Sequence, residues 1–217
     1  MLRAPTIFVK RKFRRIFKNY LNKKDIKSLN NKEFVIVANN CWGGEVYQWY
    51  NKSYNSPFVG LFLYSPCFIK VVSDFDNYMS KELKFLKNSK YLKEKQTYPI
   101  GLIGDAEIHF LHYKDEKEAT DKWNRRKERM LKVTDKNSYF FKLCDMYNSN
   151  ENILKEFHNL PYKNKVSFGI NNYESLKNKN HIKIEESYKK QGKHVPNGVK
   201  LYKLTFLYFS IANWLNN

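Results

Sequence analysis

A chain of 217 residues, 42% hydrophobic and 17% aromatic, is long enough to bury one full core and too apolar for a disordered tail. Forty basic side chains against 21 acidic ones give a formal charge of +19, but 33 of the 40 are lysine, a solvating background that argues against nucleic acid as the expected partner. Cys41, Cys67 and Cys144 form no CxxC pair, against a disulfide framework or a structural zinc site, and no apolar run reaches the length of a membrane span, so the expected location is cytoplasmic or peripheral at the inner face of the membrane.

In chain order, the first element is the basic segment "IFVKRKFRRIFKNYLNKK". Phe13, Ile16, Phe17, Tyr20 and Leu21 recur at helical spacing on one face, and residues 1–30 carry ten basic side chains and one acidic, or +9. Residues 1–30 are therefore expected to form a basic amphipathic helix ahead of an α/β domain at 31–217, with residues 1–24 meeting an anionic membrane surface. A helix docked on the protein's own core is the alternative, followed by a nucleic-acid contact or a disordered arm.

Beyond residue 33 short strands alternate with helices. "FVIVA" (34–38), "FVGLFL" (58–63), "AEIHFLHY" (106–113), "SYFFKL" (138–143) and "KVSFGI" (165–170) read as strands. Residues 44–51, 66–88, 116–131 and 150–159 read as helices. Residues 171–198 read as loop with a short strand at 181–185, and "LYKLTFLYFSIANWLNN" as a closing apolar helix. The expected fold is α/β: a single domain with a largely parallel sheet flanked by helices.

Two stretches carry candidate chemistry. The first strand runs into "NNCWGGE", where strand-to-helix loops of open α/β sheets bind ligands. Asn39 and Asn40 can donate and accept hydrogen bonds, Trp42 can contact a ligand, and Gly43 and Gly44 would let it approach the main chain. Cys41 at a helix N-terminus is a candidate reactive thiol, with a packing thiol as the alternative. In the second stretch, "GDAEIHFLHYKDEKEATDKWNRRKERM", strand alternation puts Asp105, Glu107 and His109 on one face and His112 on the other. His109 and His112 therefore do not share a metal ion, whereas Asp105, Glu107 and His109 could form an acid–histidine pair or a DxD-like site for a nucleotide sugar. His112, nearer the strand's carboxyl end, is the better general base.

Arginine is scarce, and all seven fall in two clusters: Arg3, Arg11, Arg14 and Arg15, then Arg125, Arg126 and Arg129. A planar guanidinium grips phosphate or carboxylate bidentately, so Arg125 and Arg126 are candidate clamps for a donor's phosphates. Asp115 is the expected N-cap of their helix.

The blocks "NNCWGGEVY", "YNSPFVGLFL", "GDAEIHFLHYKDEKEATDKWNRRKERM" and "LPYKNKVSF", from about Glu33 to Phe168, with a looser echo in "IANWLN", resemble a bacterial family catalogued as domain of unknown function 1919 and often labelled exopolysaccharide or capsular polysaccharide biosynthesis protein. The resemblance implies an α/β domain and a place in cell-surface glycan assembly. Two reactions fit the candidate residues. One is an O-acyltransferase using an acyl-CoA donor, with Cys41 or His112 in the chemistry and Arg125 and Arg126 on the donor phosphates. The other is a glycosyltransferase using a nucleotide sugar and a divalent metal on Asp105 and Glu107. The acceptor would be a glycan or a lipid-linked glycan. A glycan- or nucleic-acid-binding protein without catalysis is the third reading.

Overall fold

The computed structural model describes residues 4–30, 33–184 and 193–217. The chain begins with α1 (Ala4–Ile16) and α2 (Lys18–Lys27), and helical hydrogen bonds from Phe17 N to Phe13 O and from Leu21 N to Phe17 O run through their junction. β1 (Val35–Ala38) then leads to α3 (Trp42–Trp49), and an irregular passage leads on to α4 (Ser65–Ser73) and α5 (Phe75–Ser80). Next come β2 (Leu83–Leu86), β3 (Ile100–Ile103), β4 (Ala106–His109) and α6 (Glu116–Leu131). The rest comprises β5 (Tyr139–Cys144), α7 (Glu151–Asn159), β6 (Asn164–Gly169), β7 (His181–Lys183), α8 (Gly198–Thr205) and α9 (Ile211–Leu215).

The cap chemistry follows the residue types. Asp115, Asn150, Asn197 and Ser210 each accept the backbone N–H three residues on, at the starts of α6, α7, α8 and α9. Pro66 sits in the first turn of α4, where its missing N–H costs nothing.

β1, β5, β6 and β7 form a four-stranded, wholly parallel sheet in the order β1-β5-β6-β7. Both of its faces are covered. Val35, Val37, Phe141 and Leu143 enter one apolar core with Phe58, Phe68 and Trp123, while Ile36, Ala38, Phe140 and Phe168 enter the other with Trp42, Leu201 and Trp214. The α/β fold with a parallel sheet flanked by helices and a helical basic N-terminus is thus present.

Several elements differ from the sequence-based reading. Residues 66–88 are not one helix, because the chain breaks at Asp74 and ends α5 at Ser80 before β2. Residues 58–63 are not a ladder strand: Gly60 adopts φ +80°, and the segment pairs only at Phe62, antiparallel to His109. The strand at 106–113 stops at His109 and belongs to a second, antiparallel sheet, β2-β3-β4. Its cause is the two-residue turn Gly104-Asp105, in which Gly104 at φ +59° folds β3 back on β4 and pairs Ile103 with Ala106. The closing helix is two short helices, and β7 ends at Lys183, with Glu185 outside the described residues.

The 60–64 segment stitches the two sheets together. Leu63 N donates to Asn39 O at 3.0 Å beyond β1, and Phe62 exchanges both backbone hydrogen bonds with His109 at 2.9 Å. Residues from both candidate stretches are thereby brought to one region.

Candidate functional site

The loop after β1 is packed rather than open. Asn39, Asn40 and Trp42 are buried. Both amide oxygens accept from Lys142 Nζ, at 3.2 and 3.0 Å, and both amide nitrogens lie against the Cys144 thiol. Asn40 Oδ1 also accepts from Trp42 N at 3.2 Å, closing the turn into α3. Trp42 donates to Thr205 Oγ1 at 2.9 Å and packs on Phe168 and Trp214. The glycines serve close packing instead of ligand approach. A Cβ on Gly43 would stand 2.9 Å from Ile36 Cγ2 of β1, and one on Gly44 would stand 3.2 Å from Val59 Cγ1. The loop is also covered: a Cβ on Gly198 at the start of α8 would stand 2.6 Å from Trp42 N. The polar side chains foreseen as ligand contacts are therefore spent inside the protein.

Cys41 remains partly accessible, and its thiol lies 3.8 Å from the Leu61 carbonyl. Burial pushes this thiol up to about 11, with Lys142 pulling weakly the other way. The position before a short helix does not produce a thiolate here, because desolvation of the charged form outweighs the helix terminus.

Around the same passage the structure gathers the other candidates. Arg126 Nη1 donates to Val59 O at 3.1 Å, His112 N to Gly60 O at 3.1 Å, and Cys41 reaches Leu61 O. Three consecutive carbonyls thus receive three residues that lie far apart in sequence. Tyr113 ties this group together: its hydroxyl donates to Val59 O at 2.5 Å and accepts from Arg126 Nη1 at 2.7 Å. Burial raises the pKa of that hydroxyl, opposed by the Arg126 charge. The His112 side chain is exposed.

Arg126 is buried, with its guanidinium 4.9 Å from the Tyr54 ring centre. It lines a cavity of about 500 Å³ together with Arg125, Arg129, Lys52, Tyr47 and Tyr54. Arg129 Nη1 donates to Tyr54 O at 3.3 Å. Four cations thus stand around one cavity, the type of charge and geometry that a multiply charged anion requires. It lies at the C-terminal end of α3, whereas Cys41 lies at the N-terminal end, so the arginines and the thiol do not share a pocket.

Glu107 and His109 form a second, sealed group. Both side chains are fully buried, with His109 Nε2 2.8 Å from Glu107 Oε1, an approach outside hydrogen-bond geometry. Glu107 also accepts from the Ser89 hydroxyl and, at 3.0 Å, from Lys90 N. The imidazole stacks on Phe62 at 4.4 Å, with Tyr98, Tyr64 and Tyr147 around this pair of rings. Burial lowers the His109 pKa, and the neighbouring Glu107 only partly opposes this. Asp105 is separate from the pair. It sits exposed in the β3–β4 turn, bonded to Lys70 and Tyr78 Oη, which hold its carboxyl down to about 2. Asp105 and Glu107 are thus committed to different partners. Among the described residues no three His, Cys, Asp or Glu side chains converge to hold a metal ion.

Sequence reasoning missed Lys142, although a lysine inside "YFFKLC" is a visible anomaly in a doubly covered strand. Its amine is fully buried, and desolvation lowers its pKa. Asp145, at the end of β5, was missed too: its oxygens accept from Val195 N at 2.7 Å and Ile170 N at 2.8 Å, joining β5 to the passages after β6 and before α8.

Two comparisons bear on this arrangement. Residues 12–216 match the model of a family described as Domain of unknown function (DUF1919). The match takes in the end of α1 and all of α2, and so extends beyond the blocks that carry the resemblance in the sequence. A Haemophilus influenzae protein described as uncharacterized is 30% identical over 202 residues, covering 91% of each chain.

Proposed function

The chain belongs to the DUF1919 family, and from that footing we propose that it is a transferase of capsular or exopolysaccharide assembly, modifying a glycan or lipid-linked glycan with a group from a phosphate-bearing donor. The observation that carries the reading is the cavity of about 500 Å³ with Arg125, Arg126, Arg129 and Lys52 in its wall. Acyl-CoA and nucleotide sugars both present a pyrophosphate, which guanidinium groups bind bidentately, and the half-buried Tyr54 offers a ring to a nucleobase.

Acyl-CoA is the first donor in this proposal. Asp105 and Glu107, the carboxylates that a metal-bound nucleotide sugar would need, are occupied by Lys70, Tyr78, Ser89 and the Lys90 amide. The high Cys41 pKa favours direct transfer over an acyl-enzyme. His112, exposed and next to the Tyr113 that braces Arg126, is the base: it takes the proton of an acceptor hydroxyl as that oxygen attacks the thioester carbonyl. The C–S bond breaks, and the coenzyme A thiolate leaves.

Thermal shift with acetyl-CoA, a uridine diphosphate sugar and pyrophosphate tests the proposal. Acetyl-CoA and pyrophosphate should raise the melting temperature of the wild type, and Arg125→Ala with Arg129→Ala should weaken that response about tenfold in ligand concentration. A response to the nucleotide sugar alone would move the donor assignment to the glycosyltransferase reading. No response to any of the three would end the donor-binding reading and leave a glycan-binding role.

A further inference from the structure

The N-terminal helices pack on the body with a mixed side that includes Leu21, which the sequence grouped with the aromatic face but which lies half-buried against the core. The Arg14 guanidinium sits between the Trp49 and Phe206 rings, 4.3 and 4.6 Å from their centres. Asn22 donates to Trp49 O, Asp25 accepts from Trp49 Nε1 at 2.8 Å, and Asn216 Nδ2 donates to Ser28 O at 2.8 Å. Ile7 and Leu29 are buried at either end of the arm.

The apolar side faces outward. Of the nine large hydrophobic side chains exposed among the described residues, seven lie between Phe8 and Ile26, so apolar exposure is concentrated on this arm. Phe13, Ile16, Phe17 and Tyr20 follow one another at helical spacing and are 53%, 63%, 44% and 66% exposed, with the Phe13 and Phe17 rings 4.4 Å apart. An amphipathic helix that served only its own domain would turn this face inward. Here the face is left for another occupant.

The charge says which. Asp25 is the only acidic residue in 1–30, and it is engaged with Trp49. Lys10, Arg11, Lys12, Arg15 and Lys18 enter none of the salt bridges among the described residues. No helix among the described residues is long and apolar enough to cross a membrane. We propose that α1 and α2 lie in the surface of an anionic lipid bilayer, with Phe13, Ile16, Phe17 and Tyr20 in the acyl boundary and the free lysines and arginines among the headgroups. This inference is independent of the donor proposal.

Vesicle flotation with the full chain tests it, using phosphatidylcholine alone and one part phosphatidylglycerol to two of phosphatidylcholine. Wild type should bind the anionic vesicles at least about tenfold better than the neutral ones, and less well as salt rises. Phe13→Ser with Phe17→Ser should weaken binding about tenfold or more at an unchanged melting temperature, because both rings are exposed in the free protein. Absence of binding to anionic vesicles, or equal binding by the variant, overturns the proposal. So does a stable dimer in light scattering that the double variant dissociates, which would assign the face to a second copy.

Discussion

Arg126 and His112 hold neighbouring carbonyls of one backbone segment: the guanidinium donates to Val59 O and the His112 amide to Gly60 O, each at 3.1 Å. Through Tyr113, which touches both Val59 O and Arg126, the floor of the arginine cavity and the loop carrying the candidate base form one hydrogen-bonded unit.

That unit should register in stability. Tyr113→Phe removes a buried hydroxyl with two partners and should cost about 1–3 kcal/mol. Arg126→Ala should cost more, since it also deprives Val59 O of a donor and empties volume beside Tyr54. Urea denaturation of both variants checks this, and wild-type stability in either would show that the contacts contribute nothing net.

His112→Ala separates the proposed base from the fold. The side chain is exposed, so unfolding free energy should stay within about 0.5 kcal/mol of wild type. Transfer to a glycan acceptor should fall by about 10²–10⁴-fold if His112 is the base. A turnover near the wild-type rate would rule that role out.

Cys41 should behave as a sluggish thiol. A shift from 9.0 to about 11 leaves roughly a hundredfold less thiolate near neutral pH. Iodoacetamide labelling of native protein, followed site by site by mass spectrometry between pH 7 and pH 10, should show slow modification that quickens with pH. Rapid labelling at pH 7 would restore the nucleophile to consideration.

Acid should destabilise the protein in a window set by His158. This ring is packed under β6, its Nε2 2.7 Å from Ser167 Oγ, and burial, with help from His181 and Lys165, lowers its pKa from 6.5 to about 4. Between those values the unfolded chain binds a proton that the folded ring refuses, so stability is fully present above about 6.5 and declines as pH falls toward 4. The loss should be about 1–2 kcal/mol after allowance for partial solvent screening. Melting temperatures at pH 7, 5.5 and 4 should show a shallower decline in His158→Gln, which keeps a polar partner for Ser167. Identical slopes would refute the assignment.

Local signals in the sequence carried a good part of this architecture. The apolar runs of β1, β5 and β6, the helical period of α1 and α2, and the cap residues Asp115 and Asn150 act through neighbours a few residues away. Their outcome is therefore readable without knowing the rest of the chain. The β3–β4 hairpin was readable too, in two apolar runs around Gly104-Asp105, and was masked because "AEIHFLHY" alternates far enough to pass for a long strand.

Residue types also placed a basic amphipathic arm, a cluster of three arginines and a polar loop after β1. They could not say which way each one faces. The loop's amides turned inward because Lys142, a hundred residues away in sequence, is buried beside them and needs their oxygens. The arginines moved to the far end of α3 because α6 packs where Val59 and Tyr113 can satisfy Arg126. The aromatic face of the arm turned outward because Arg14, Asn22 and Asp25, with Ile7 and Leu21, take up the side that meets the body. Pattern and spacing set each element's local form; burial and pairing between distant residues, decided only when the whole chain closes, set what each side chain is free to touch.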